Sequence, residues 1–121
     1  MMRSLAITVC VAGVVGCIHY TPDARGLPRE QLAVIDTREL RAPDDNLIFR
    51  SRVTLDGTQY KPGRWYVGPG LHHVEFQKPF RTPARGSVDA EAGTTYEARY
   101  QGGSIHCVRF YVNGRQVSVA R

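Results

Sequence analysis

From Gln31 onward, apolar residues return at every second position, and turn residues interrupt each run after about ten residues or fewer. In 47–55, Leu47, Phe49, Val53 and Leu55 fall on one side of an extended chain, with Arg50, Arg52 and Thr54 on the other. His72, Val74 and Phe76 alternate in the same way with Leu71, His73 and Glu75, and Tyr96, Ala98 and Tyr100 with Thr95, Glu97 and Arg99. A period of two suits a strand, whose side chains point to opposite faces, and does not suit a helix. Asn113-Gly114 joins the runs 105–112 and 115–119, and this dipeptide accepts the positive φ values that a two-residue hairpin requires. Val108, Phe110 and Val112 then face inward with Val117 and Val119. Asp56-Gly57, Pro62-Gly63, Gly68-Pro69-Gly70 and Ala92-Gly93 mark further reversals. Runs 32–36, 64–67 and 87–91 supply the other strands. Segments 37–46 and 77–86 read as loops, the first with room for a helical turn over 38–41. The expected fold is all-β, an antiparallel β-sandwich of about seven short strands.

Ahead of this domain, 5–16 is an uncharged segment that follows Arg3 and ends in small residues, the layout of a secretory signal. About 20 apolar residues are needed to span a bilayer, and His19, Pro22, Asp23 and Arg25 break this run off too early. Its ending, Val14-Val15-Gly16-Cys17, resembles the lipobox of bacterial lipoproteins. That resemblance implies cleavage before Cys17, a diacylglycerol on the Cys17 sulfur and acylation of the new amine. Two or more acyl chains give stable membrane attachment where one gives only marginal binding. The organisation expected is a signal peptide over 1–16, a lipidated Cys17 with a flexible tether to residue 30, and the β domain over 31–121. Pro22, Gly26 and Pro28 among polar residues suggest the tether. Ile18 stands where a retained inner-membrane lipoprotein resembling those of enteric bacteria carries Asp. This points to the outer membrane, facing the periplasm.

Within the domain, Val53-Thr54-Leu55-Asp56-Gly57, Gly68-Pro69-Gly70-Leu71-His72-His73-Val74 and Glu91-Ala92-Gly93-Thr94-Thr95-Tyr96 resemble the turn pattern of PEGA-like β-sandwich modules. The resemblance implies a non-catalytic envelope domain. His72, if inward, would satisfy buried backbone groups near the turn, since a buried imidazole without a partner is costly.

The chain has 121 residues, 16 Lys and Arg against 11 Asp and Glu, and a formal net charge of +5. The basic residues are scattered among acids, whereas a nucleic-acid binder clusters them on one face with aromatics, so no nucleic acid is expected. Three cysteines do not make a disulfide scaffold. Cys10 lies in the leader and Cys17 in the lipobox, which leaves Cys107 as either a small buried hydrophobe or a reactive thiol. His72 and His73 point to opposite faces of one strand, as do His106 and Cys107, so neither pair holds a single ion and no metal or cofactor is expected. No Gly-rich phosphate loop or Ser-centred elbow occurs, and no enzyme activity is expected.

The candidate interaction surface is Arg50, Arg52, Arg64, Trp65, Tyr66, Arg109 and Tyr111, because Trp, Tyr and Arg carry a disproportionate share of binding energy. The alternative places Trp65 in the core and leaves the arginines as a solvated face. The partners expected are a membrane, through the lipid on Cys17, and another envelope protein. The competing function class is a small-ligand, metal or glycan binder, or a hydrolase inhibitor, which needs a pocket where an interaction module needs only a patch or a strand edge.

Overall fold

The computed structural model describes residues 7–10, 17–40, 52–77, 82–102 and 107–117. Its strands are β1 (Ile7–Cys10), β2 (Cys17–Tyr20), β3 (Ala33–Asp36), β4 (Arg52–Leu55), β5 (Thr58–Tyr60), β6 (Arg64–Val67), β7 (Gly70–Gln77), β8 (Ala84–Ala90), β9 (Thr95–Gln101), β10 (Cys107–Val112) and β11 (Arg115–Gln116). The fold is all-β. The strands join one sheet in the order β1-β2-β6-β3-β9-β10-β8-β7-β4-β5, with β11 paired to β10.

The sheet is mixed, where the sequence suggested antiparallel pairing throughout. β2 runs parallel to β6, β3 to β9 and β10 to β8. Alternation decides which face of a strand is buried but not which strand lies beside it. The sheet curls so that β3, β6, β9 and β10 share one core with β4, β7 and β8. Ile35, Val67, Val74, Phe76, Val88, Val108 and Phe110 are all at most 2% exposed. Burial of such a side chain is worth about 1.5–3 kcal/mol relative to leaving it in water. The inward faces expected for 71–76, 95–100 and the described part of the last hairpin are the buried ones, with Val112 and Val117 packed at the rim of the core; Leu47, Phe49 and Val119 lie outside the described residues.

Both two-residue hairpins have the expected chemistry. Asp56 and Gly57 lie at φ 53° and 83°, Asn113 and Gly114 at 52° and 78°. Gly86 serves a different purpose: a Cβ there would run into the backbone carbonyl of Val108, so only glycine lets β10 lie so close against β8. Within the expected β domain, β5 is an unexpected short polar strand that follows the Asp56-Gly57 turn, and β8 begins at Ala84, inside the expected loop.

The segment read as a tether is part of the domain. Its first residues form β2, which pairs with β1 from the leader (Cys10↔Cys17, Ile7↔Tyr20) and with β6. Short 3-10 turns follow at Pro22–Ala24 and Arg29–Gln31. Thr21 and Ala24 are buried, and Ala24 packs with Leu32 and Tyr66 in a second cluster. The Thr21 amide donates to the Tyr66 carbonyl at 3.1 Å. The prolines and glycine that suggested a tether instead shape turns that lie back on the sheet.

Candidate functional site

The polar centre of the described structure is built around His72. Asp56 reverses the chain between β4 and β5, and its amide donates to the His73 carbonyl at 2.8 Å. Its carboxylate then receives two donors from β7: the His73 amide on Oδ1 at 2.8 Å and the His72 Nδ1 on Oδ2 at 2.6 Å. On the other side of the ring, His72 Nε2 lies 2.6 Å from the Gly68 carbonyl. The Gly68 amide in turn donates to Asp23 Oδ2 at 3.1 Å, and Asp23 Oδ1 accepts from the Thr21 hydroxyl. One chain of hydrogen bonds thus ties the 21–24 turn, the 68–70 turn, β7 and the 56–57 turn together.

Both His72 nitrogens face acceptors, and an imidazole donates from both only when it is protonated. Burial by itself lowers the affinity of His72 for its proton. Hydrogen bonds to Asp56 and the Gly68 carbonyl, with the negative charge of Asp56 and Asp23, more than reverse this and raise its pKa above the ordinary histidine value. His72 is 5% exposed, and its two hydrogen bonds fasten the 56–57 and 68–70 turns to β7. The sequence placed it inward against backbone groups, as found, and did not show Asp56 as its partner.

His73 points to the opposite face. Its Nδ1 lies 2.6 Å from the Ser87 hydroxyl of β8, directly across the ladder. The two line a shallow cavity of about 300 Å³ with Thr54, Gly57, Glu75 and Arg85, the last two joined by an ion pair of 2.7 Å. The Asp56 carboxylate is engaged by the His72 ring and the His73 amide, while the His73 ring meets the serine. Among the described residues no three His, Cys, Asp or Glu side chains converge on a point that would hold a metal. His106 lies outside the described residues. Cys107 is a half-buried thiol on β10, opposite Gln101 of β9 and Arg85 of β8.

The structure splits the expected interaction surface. Arg50 lies outside the described residues. Arg52, exposed on β4, and Arg64, half-buried on β6, are separated in the sheet by five strands. Trp65 and Tyr66 are 4% and 7% exposed, so Trp65 takes the alternative place in the core and Tyr66 is not the surface residue expected. Trp65 belongs to the main core, flanked by the rings of His19 and Tyr60 at 4.5 and 4.4 Å, and its Nε1 donates to the Lys61 carbonyl. Tyr66 faces the other way but is covered by the 21–32 segment, with Tyr20 at 4.8 Å and the Arg29 guanidinium 5.6 Å above its ring. As neighbours on one strand the two point to opposite faces, and the returning segment buries the second.

Arg109 and Tyr111 remain together. They sit on the outer face of β10, where the Arg99 guanidinium of β9 lies 4.4 Å over the Tyr111 ring. Arg99 was visible in the sequence as an outward position of its strand, but its pairing with β10 was not.

No known protein family, curated protein or solved structure matches this chain.

Proposed function

We propose that the chain is a membrane-anchored, non-enzymatic envelope lipoprotein whose β domain serves as a protein-interaction or structural module, of the PEGA-like kind that its turn motifs resemble. The observation that carries this reading is Val14-Val15-Gly16-Cys17 at the end of a short apolar leader. The described domain is consistent with it: its buried histidine is committed to fastening turns, and its outer faces are strands bearing ion pairs such as Asp36 with Arg38 and Glu97 with Arg99.

The fold alters the geometry of anchoring. Cys17 opens β2, which is held in parallel by β6, so acyl chains on its sulfur would hold the sheet close to the bilayer instead of at the end of a long tether. Cleavage before Cys17 would also remove β1 and leave one edge of β2 open. In a bacterial host, wild-type protein is expected to take up labelled palmitate and to fractionate with membranes. Cys17→Ala is expected to lose the label and to stay unprocessed or leave the membrane fraction. A Cys17→Ala protein that is still cleaved after Gly16 and still membrane-bound would overturn the reading.

A further inference from the structure

We propose that the rim of the sheet at which β2 begins lies against an anionic lipid surface, with Arg52, Lys61 and Arg64 meeting its phosphates beside Cys17. This deepens the membrane-anchor reading and rests on it. Strand directions define the rim. Followed through every pairing from β2 to β5, the ladders place the starts of β2, β6 and β4 at the same rim as the ends of β3 and β5. Arg52 and Arg64 are five strands apart along the sheet, but its curl closes that distance. Only Lys61-Pro62-Gly63 joins β5 to β6, and the Tyr60 and Trp65 rings lie 4.4 Å apart. Arg52 is one position beyond the Val53–Tyr60 pair, which sets it opposite Lys61. Arg52 and Lys61 are exposed and Arg64 is half-buried.

Among the described residues this rim is positive next to Cys17. Asp36 lies across the ladder from Arg64 and accepts from Arg38 at 2.7 Å, so these three leave one positive charge. Arg52 and Lys61 add two, and Glu39, exposed just past β3, takes one away. Farther round, Arg85 and Glu75 form a neutral pair. At the opposite rim Asp56 is matched by His72, which leaves Asp89 and Glu91 against Arg115. In the adjoining 21–32 segment, Asp23 and Glu30 balance Arg25 and Arg29. Charge thus divides along the strand direction, positive towards Cys17 and negative away from it, although the basic residues are scattered in sequence.

An acylated Cys17 has no spacer. Ile18 is already paired with Arg64, so a single residue, at most about 3.6 Å of chain, separates the lipid-bearing position from the sheet. Paired strands lie about 4.8 Å apart, and salt screens charges over about 8 Å at physiological ionic strength. Arg64 and Lys61 are therefore held where the potential of anionic headgroups acts. The acyl chains keep the protein at the membrane, and the cations fix which end of the sheet faces it.

The test is co-sedimentation of the full chain, made without acylation as Cys17→Ser, with vesicles of equal parts phosphatidylglycerol and phosphatidylcholine. Binding is expected there and should be much weaker on phosphatidylcholine alone, the difference closing in high salt. The leader is present in every variant, so its own contribution cancels. Lys61→Gln should weaken binding about fivefold, and Arg52→Gln, Lys61→Gln and Arg64→Gln together about a hundredfold. Arg115→Gln, at the opposite rim, should change it by about twofold or less. Should the triple variant fail to fold, Arg52→Gln and Lys61→Gln, both at exposed positions, carry the test singly. The proposal is overturned if the two kinds of vesicle bind the chain equally, if the folded rim variants bind like their parent, or if Arg115→Gln weakens binding as much as Lys61→Gln. Any of these results would leave the lipid on Cys17 untouched, because acylation is read separately by labelling and fractionation.

Discussion

Replacing Asp56 with Asn is expected to change how the stability of this protein depends on pH. In the wild type His72 donates to Asp56 at 2.6 Å and to the Gly68 carbonyl at 2.6 Å, and its pKa is raised above that of a free histidine. A group whose pKa is higher when folded stabilises fully below its unfolded value, about pH 6.5, and that stabilisation is lost as pH rises through the folded value. The Asp56 side chain is 40% exposed, so its own attraction to the ring is screened and belongs at the low end of the range. The Gly68 carbonyl is buried against the ring, and stranding such an acceptor costs about 1–3 kcal/mol.

His72→Ala, which strands that carbonyl and leaves a gap in the core, should therefore cost about 2–4 kcal/mol at pH 6 and lower the melting temperature by about 10 °C. Asp56→Asn should be milder, about 1 kcal/mol at pH 6, because Asn accepts the φ of 53° at this turn. The Asn amide can donate to the free nitrogen of a neutral ring while the other nitrogen still donates to Gly68, so the clamp no longer needs the proton. Thermal melts of both proteins by circular dichroism at pH 6.0 and 8.5 give the comparison. The wild-type advantage over Asp56→Asn should shrink as pH rises. An advantage that is constant or grows with pH would refute the doubly donating imidazolium.

Two further substitutions probe the packing. Thr37 is 1% exposed; its hydroxyl accepts from the Gly63 amide at 3.0 Å and lies 3.2 Å from the Gly63 carbonyl, so Thr37→Val should cost about 1–3 kcal/mol in urea unfolding. Trp65→Ala should cost about 3–5 kcal/mol, the signature of a core aromatic, whereas a change below about 1 kcal/mol would return Trp65 to the surface.

The period of two was enough to identify the faces of β4, β7, β9 and β10, because a half-buried strand must alternate and a one-residue slip would turn every core residue to water. The hairpins at Asp56-Gly57 and Asn113-Gly114 were equally legible, since few residue pairs accept two positive φ values. Pairing between distant strands was not legible. Nothing local in Val34-Ile35-Asp36 indicates that it will lie parallel to Thr95-Tyr96-Glu97. β5 escaped notice because Thr58-Gln59-Tyr60 is too short and polar to show a period. Tyr66 looked like a surface residue because its cover comes from 21–32, a stretch with no period of its own, whose contacts are set by turns and by Asp23 reaching the Gly68 amide. The same separation hid the outer-face contact on β10: Arg109 and Tyr111 share a strand, whereas Arg99 joins them only through the ladder.

The account rests on Cys17, and the intact mass of the protein extracted from bacterial membranes tests it most directly. A chain that begins at Cys17 and carries a diacylglycerol with a further acyl group is the predicted result. A chain that still begins at Met1, or one whose Cys17 bears no lipid, would contradict it.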